Sequence, residues 1–169
     1  MRRCVIDTNV LITANKALKN DPDDDVYDYP ALITGCIKML MKIIEKGIYV
    51  VLDIDDKIFS EYKRHLNFSG EPGLGDMFFQ WLHDHRYSFP DSERVKLHKT
   101  KEGYLEFPAE MLNVNVDPSD MMFFAVSNAH PRKPDIIEAT DTKWRNWVDS
   151  AKQCGINIEF IDEEYIRNH

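Results

Sequence analysis

Apolar residues in this chain fall into two patterns that alternate from end to end. Short unbroken blocks, such as Cys4-Val5-Ile6 and Tyr49-Val50-Val51-Leu52, have the length and β-branched content of buried strands. Between them lie longer segments in which apolar positions recur every three or four residues, as expected of amphipathic helices. The pattern predicts a strand over 2–7, a helix over 29–46 stopped by Gly47, a strand over 48–53, and a helix from about Asp56 to Leu66 that turns Ile58, Phe59 and Tyr62 to a core. Gly70, Pro72, Gly73 and Gly75 break the chain before a helix over 77–85, and 92–110 fits no single element, with a short strand pair the best description. Asp117-Pro118-Ser119-Asp120 reads as a helix start, with Asp117 as the cap and Pro118 at the first helical position. That helix runs to about His130, followed by a strand over 135–140, a helix from Lys143 to Cys154 closed by Gly155, and a strand over 156–161. Strands alternating with helices predict an α/β fold whose parallel sheet is covered on both faces.

The chemistry is carried by where the acids fall on this pattern. The first strand delivers Asp7 into Thr8-Asn9, and in open α/β sheets ligands bind beyond the carboxyl ends of the strands. Asp141 closes a later strand in the same way, Glu61 sits among apolar helical positions, and Asp120 lies in the first turn of its helix. Each also has a structural reading. Asp7 and Asp141 could cap the helices after them, an acid at a helix start is favoured by the dipole, and a helical Glu is commonly solvated. Taken together, the four make a carboxylate cage suited to a hard divalent cation, and so to phosphodiester chemistry.

Composition bounds this picture without replacing it. The 169 residues suit one domain, and 43% hydrophobic content suits a globular one. No apolar signal core follows Arg2 and Arg3, and Met39-Leu40-Met41 is broken by Lys38 and Lys42, so a cytoplasmic protein with no membrane segment is expected. Cys4, Cys36 and Cys154 lack metal-ligand spacing and read as buried thiols. The six histidines form no His-x-x-x-His pair, which argues against a zinc hydrolase. A formal charge of −8 argues against gripping nucleic acid by bulk electrostatics, although the acidic run Asp21, Asp23, Asp24, Asp25 and Asp28 reads as a solvated loop away from the acids above.

Four segments, Val5-Ile6-Asp7-Thr8-Asn9-Val10-Leu11-Ile12, Phe59-Ser60-Glu61-Tyr62, Asp120-Met121-Met122-Phe123-Phe124-Ala125-Val126 and Ala139-Thr140-Asp141-Thr142-Lys143-Trp144, resemble in content and order those of the PIN-domain nucleases. The resemblance spans 5–144, while about 67–114 carries no family signature and is expected to be an insertion within a single PIN-like domain over 1–169. It implies a three-layer α/β/α sandwich, with Asp7, Glu61, Asp120 and Asp141 as catalytic, Mg²⁺- or Mn²⁺-binding acids and Thr8, Asn9 and Thr140 as supporting residues. It also implies a metal-dependent endonuclease acting on RNA, with DNA as a further candidate, and a kinship with toxins of toxin–antitoxin pairs, whose partner is an antitoxin or other regulatory protein. Self-association is compatible with it. Lys63, Arg64, Lys143 and Arg145 flank these acids in sequence and are the candidate substrate contacts, whereas Tyr62, Trp81, Tyr104, Trp144 and Trp147 read mainly as core. The competing function is a catalytically silent PIN-like scaffold that binds RNA or a protein. A phosphatase with two Asp residues in the pattern Asp-x-Asp is disfavoured, because Asn9 stands where the second would be.

Overall fold

The computed structural model describes residues 1–18, 23–67 and 69–169, so Asp21 of the acidic run lies outside the described residues. At its centre is a parallel sheet in the order β2-β1-β5-β6, built from β1 (Arg3–Ile6), β2 (Tyr49–Val50), β5 (Asp135–Glu138) and β6 (Ile158–Phe160). Successive side chains of a strand point to opposite faces, yet Cys4, Val5, Ile6, Ile136 and Ile137 are all buried. Both faces are therefore covered, as expected of an α/β protein. The helices that cover them are α1 (Thr8–Asn15), α2 (Pro30–Lys46), α3 (Lys57–His65), α4 (Leu74–His85), α5 (Met121–Ala129), α6 (Val148–Gln153) and α7 (Glu163–Asn168). The arrangement is compatible with three layers, and among the described residues no helix is long and apolar enough to cross a membrane.

The strand expected over 48–53 is divided. Tyr49 and Val50 pair with β1, whereas β3 (Leu52–Asp53) pairs in parallel with β4 (Arg94–Val95), and the Val51 amide still donates to the Cys4 carbonyl at 2.9 Å. Thus the segment 92–110, where a short strand pair is expected, contributes a two-residue strand that forms a second, two-stranded parallel sheet with β3. Glu93 ties it to the centre. Buried beside β4, it accepts from Nε and Nη2 of Arg3 on β1 at 2.9–3.1 Å, and the His130 ring lies 3.5 Å away.

Several helix starts differ from expectation for local reasons. Asp53, a strand-end acid, caps α3 by accepting from the Lys57 and Ile58 amides at 2.8 and 2.9 Å, while Asp56 adopts a left-handed conformation at φ 55°. Gly75 does not break the chain but lies inside α4, because a Cβ there would stand 2.0 Å from the Leu11 carbonyl of α1. The segment expected to be one helix from Lys143 is 3₁₀ over Thr142–Trp147 before α6 begins. Of the aromatic residues read as core, Tyr62, Trp144 and Trp147 are buried, and the Tyr62 hydroxyl donates to the Ile6 carbonyl at 2.6 Å. Cys4, Cys36 and Cys154 are buried free thiols, the first two pushed up to about 12 chiefly by burial.

The Arg3–Glu93 pair gives a direct test of how 92–110 is held. Replacing Glu93 by Ala leaves Arg3 without its carboxylate, and removal of one partner from a buried ion pair costs about 3 kcal/mol. Urea denaturation at pH 7 should show that loss, with a smaller one for Asp91→Ala, whose partner Arg94 is met at an exposed surface.

Candidate active site

The parallel register of β1 and β5 places Ile6 beside Ile137, so Asp7, the residue after β1, and Glu138, the last residue of β5, stand side by side. Both are buried, and the Asp7 amide donates to the Ile137 carbonyl at 2.9 Å, which carries the register one residue past the strand. The Asp7 carboxylate caps α1 by accepting from the Asn9 amide at 2.8 Å. It therefore performs the structural task foreseen for it and still faces other acids. Glu138 does more for the backbone. Its Oε1 accepts from three consecutive amides, those of Ala139, Thr140 and Asp141, at 2.8–2.9 Å, and so folds the turn that presents Asp141. Its other oxygen, Oε2, is buried without a hydrogen-bond partner among the described residues.

Two carboxyl groups in contact in a dry environment cannot both ionise cheaply. Burial and the Asp7 charge hold the Glu138 carboxyl well above the usual range despite its three amides. Burial also raises Asp7 to about 6, against the lowering by the Asn9 amide and Glu138, with Asp120 and Asp141 adding to the rise.

Asp120 and Asp141 meet at a lysine. The Lys143 ammonium lies 2.8 Å from Asp141 and 3.1 Å from Asp120, and it also contacts Asp117. Burial works against this charge, but the three carboxylates outweigh it and hold the ammonium charged well above the ordinary lysine range. Asp120 is buried and its carboxyl is raised, first by burial and then by Asp141 and Asp117, with Lys143 opposing. Its Oδ2 has the ammonium as a charge partner but no well-angled hydrogen bond. Asp141, like Asp7, caps the helical turn after it, accepting from the Lys143 amide at 3.3 Å. Asp117 is not the expected helix cap. The chain turns over 117–120 through bonds from the Asp120 and Met121 amides to the Asp117 carbonyl, and α5 begins at Met121, so the Asp117 side chain is free to reach Lys143.

Glu61 approaches from α3. Its side chain is 18% exposed and engages Arg64 at 2.7 Å and His65 at 3.3 Å. It shares a cavity of about 110 Å³ with Asp7, Thr8, Asn9, Ser119 and Asp120, which brings three of the four acids foreseen to one wall. Asp141 joins them through Lys143 and through its field at Asp7. The buried Thr8 Oγ1 has no partner among the described residues, and Thr140 acts through its amide on Glu138. Lys63 is exposed, Arg64 is engaged by Glu61, Lys143 is committed to the acids, and Arg145 donates to the Ile166 carbonyl at 3.2 Å beside a separate cavity. Glu138 is the residue that sequence reasoning missed. Counting β1 against β5 from their last apolar residues would have found it.

No family model, curated protein or solved structure matches the chain.

The raised Asp7 carboxyl has a signed consequence for stability. Its charged form is disfavoured in the fold, so its contribution is most favourable below the unfolded value near 4 and is lost as pH rises through about 6. The resulting cost at neutral pH is on the order of 2–3 kcal/mol. Asp7→Asn keeps the cap and removes that cost. Thermal unfolding in a chelator should show the variant more stable than the parent at pH 7 and a smaller gap at pH 4. A variant less stable than the parent at pH 7 would contradict this electrostatic assignment.

Proposed function

We propose that this protein is a PIN-type endonuclease that uses Mg²⁺ or Mn²⁺ to hydrolyse phosphodiester bonds in RNA. The observation that carries the reading is the convergence of Asp7, Asp120 and Asp141 on a single neighbourhood at the carboxyl ends of β1 and β5, with Glu61 on the wall of the adjoining cavity. Such clustering is costly for stability, and acids whose properties are displaced by burial and by one another are characteristic of functional sites.

The donor set fits a hard divalent ion. All candidate ligands are oxygens, Asp120 Oδ2 and Thr8 Oγ1 are buried without hydrogen-bond partners, and the cluster already draws a cation, the Lys143 ammonium, among three of its carboxylates. Among the described residues no group of three His, Cys, Asp or Glu side chains stands ready to hold an ion as placed, consistent with Lys143 keeping those acids around its own charge. Asp7, Glu61, Asp120 and Asp141 are the residues that would hold the metal. When bound, it would supply an activated water and polarise the phosphoryl oxygen. The chain's own residues do the rest. The Asn9 amide orients Asp7, and the turn folded on Glu138 sets Asp141. Lys143, bridging Asp120 and Asp141, neutralises the cluster until substrate phosphate and metal share it.

One observation favours the alternative of a silent scaffold. A lysine already neutralising three acids makes the cluster self-sufficient as a structural feature. Kinship with the toxins of toxin–antitoxin pairs, and with it a regulatory protein partner, belongs to the same proposal. Its support is the −8 charge, under which an isolated enzyme binds polyanions weakly by default.

The two readings separate in one assay. Purified protein is incubated with single-stranded and structured RNA and DNA, with and without Mn²⁺, alongside Asp7→Asn and Asp120→Asn. Cleavage of RNA that requires Mn²⁺, and that falls by on the order of 100-fold or more in both variants, is expected, a larger loss than outer-shell partners typically give. Binding without cleavage under any metal would favour the scaffold.

A further inference from the structure

Next to the acid cluster lies a larger cavity of about 340 Å³, whose lining includes Asp55, Lys57, Glu61, Arg64, Lys99 and Tyr104, with Ser119 and Met122 beside them. Glu61 and Ser119 line both cavities, so the two adjoin. One wall is α3. The other is a hairpin over 98–105 that belongs to the segment without family signature, closed by bonds from the Leu105 amide to the His98 carbonyl and from the Thr100 amide to the Gly103 carbonyl, both 2.9 Å.

This hairpin is anchored at both ends. Glu106 accepts from the His98 amide at 2.9 Å, and Asn128 of α5 donates to the Glu106 carbonyl at 2.9 Å. At the tip, Gly103 has φ 146°, and a Cβ there would stand 2.7 Å from the Met121 methyl, so the turn presses on the first residue of α5, directly after Asp120. The wall is thus held in register with the acids.

The polar groups around the cavity divide into two kinds. Lys57 is paired with Asp55, and Arg64 with Glu61. Lys99 is exposed and its ammonium has no partner among the described residues, the Ser119 hydroxyl makes no hydrogen bond there, and the Tyr104 hydroxyl makes none but feels the charge of Lys57. An uncommitted cation, an aromatic ring and a free hydroxyl thus surround a space within the roughly 300–1,000 Å³ range of ligand sites. Phosphate contacts position a strand, and an aromatic face accepts any unpaired base.

We infer that this cavity is a subsite for single-stranded nucleic acid, in which Lys99 takes a backbone phosphate next to the one at the acids and Tyr104 takes the adjoining base. The inference rests on the nuclease reading for its substrate class. It also answers how a chain of charge −8 holds a polyanion, by one local cation and one stacking surface rather than a basic face.

The test is binding of a fluorescein-labelled short single-stranded RNA, its DNA counterpart and a duplex, followed by anisotropy in EDTA over a range of salt, with Mn²⁺-dependent cleavage measured separately. Lys99→Gln should weaken single-strand binding several-fold and reduce the slope of log affinity against log salt by about 0.7. Tyr104→Leu should weaken it about fivefold or more with the slope unchanged. Lys99→Arg and Tyr104→Phe, which keep charge and ring, should bind as the parent does, and the duplex should bind less tightly. If the parent cleaves but Lys99→Gln and Tyr104→Leu bind unchanged, the subsite is wrong and the nuclease reading stands. If those variants lose binding while the parent never cleaves, the subsite stands and the nuclease reading falls. A parent that binds no single strand, or binds duplex equally well, overturns the subsite.

Discussion

Two neighbouring parallel strands that end on acids in the same register impose the constraint around which this molecule is arranged. Asp7 and Glu138 emerge side by side into a buried space, and their mutual repulsion has to be resolved before anything else can pack there. Glu138 commits one oxygen to three amides, which determines the path of the chain to Asp141, and burial beside Asp7 holds its carboxyl well above the usual range. Asp7 is left partly relieved and oriented by α1. Lys143 then compensates Asp120, Asp141 and Asp117 together. Each compensation is incomplete, because several buried oxygens remain without good hydrogen bonds. A fold selected only for stability would not concentrate carboxylates in this way, and stability sacrificed at a site is the common correlate of function.

Much of the frame is legible in the sequence because it depends on local rules. The apolar runs mark the strands, Gly47 ends α2 in the left-handed conformation at φ 61°, and the helix after Asp120 ends within a residue of the place expected. The parts that are not legible depend on distant partners. A short strand pair is expected somewhere in 92–110, but its place at 94–95 is not legible, since two residues have no periodicity and β4 exists only because β3 and Arg3 are there to receive it. Gly75 reads as a breaker until α1 is known to lie against it.

The acids show the same division. Asp7 directly follows β1 as expected, whereas β5 ends at Glu138 and Asp141, expected to close that strand, lies three residues beyond it; both acids cap the helical turns after them. Asp53 has an equally suggestive place but serves α3 alone. Position at a strand end is therefore insufficient, and the cluster is distinguished by the presence of other acids across the sheet. Glu138 is inconspicuous in the sequence because Asp141, three residues later, reads as the strand's closing acid. Lys143 reads as a substrate contact, whereas its nearest anions are those of its own protein.

The central claim is that these acids form a metal centre in which Lys143 holds part of the charge balance. Anomalous scattering from crystals grown with Mn²⁺ addresses it without reference to any substrate. A metal centre of this kind predicts a manganese peak bounded by Asp7, Asp120 and Asp141 with Glu61 at its edge, and a Lys143 ammonium withdrawn from at least one of its carboxylates. Crystals saturated with Mn²⁺ that show no peak there, with Lys143 still bridging Asp117, Asp120 and Asp141, would contradict it.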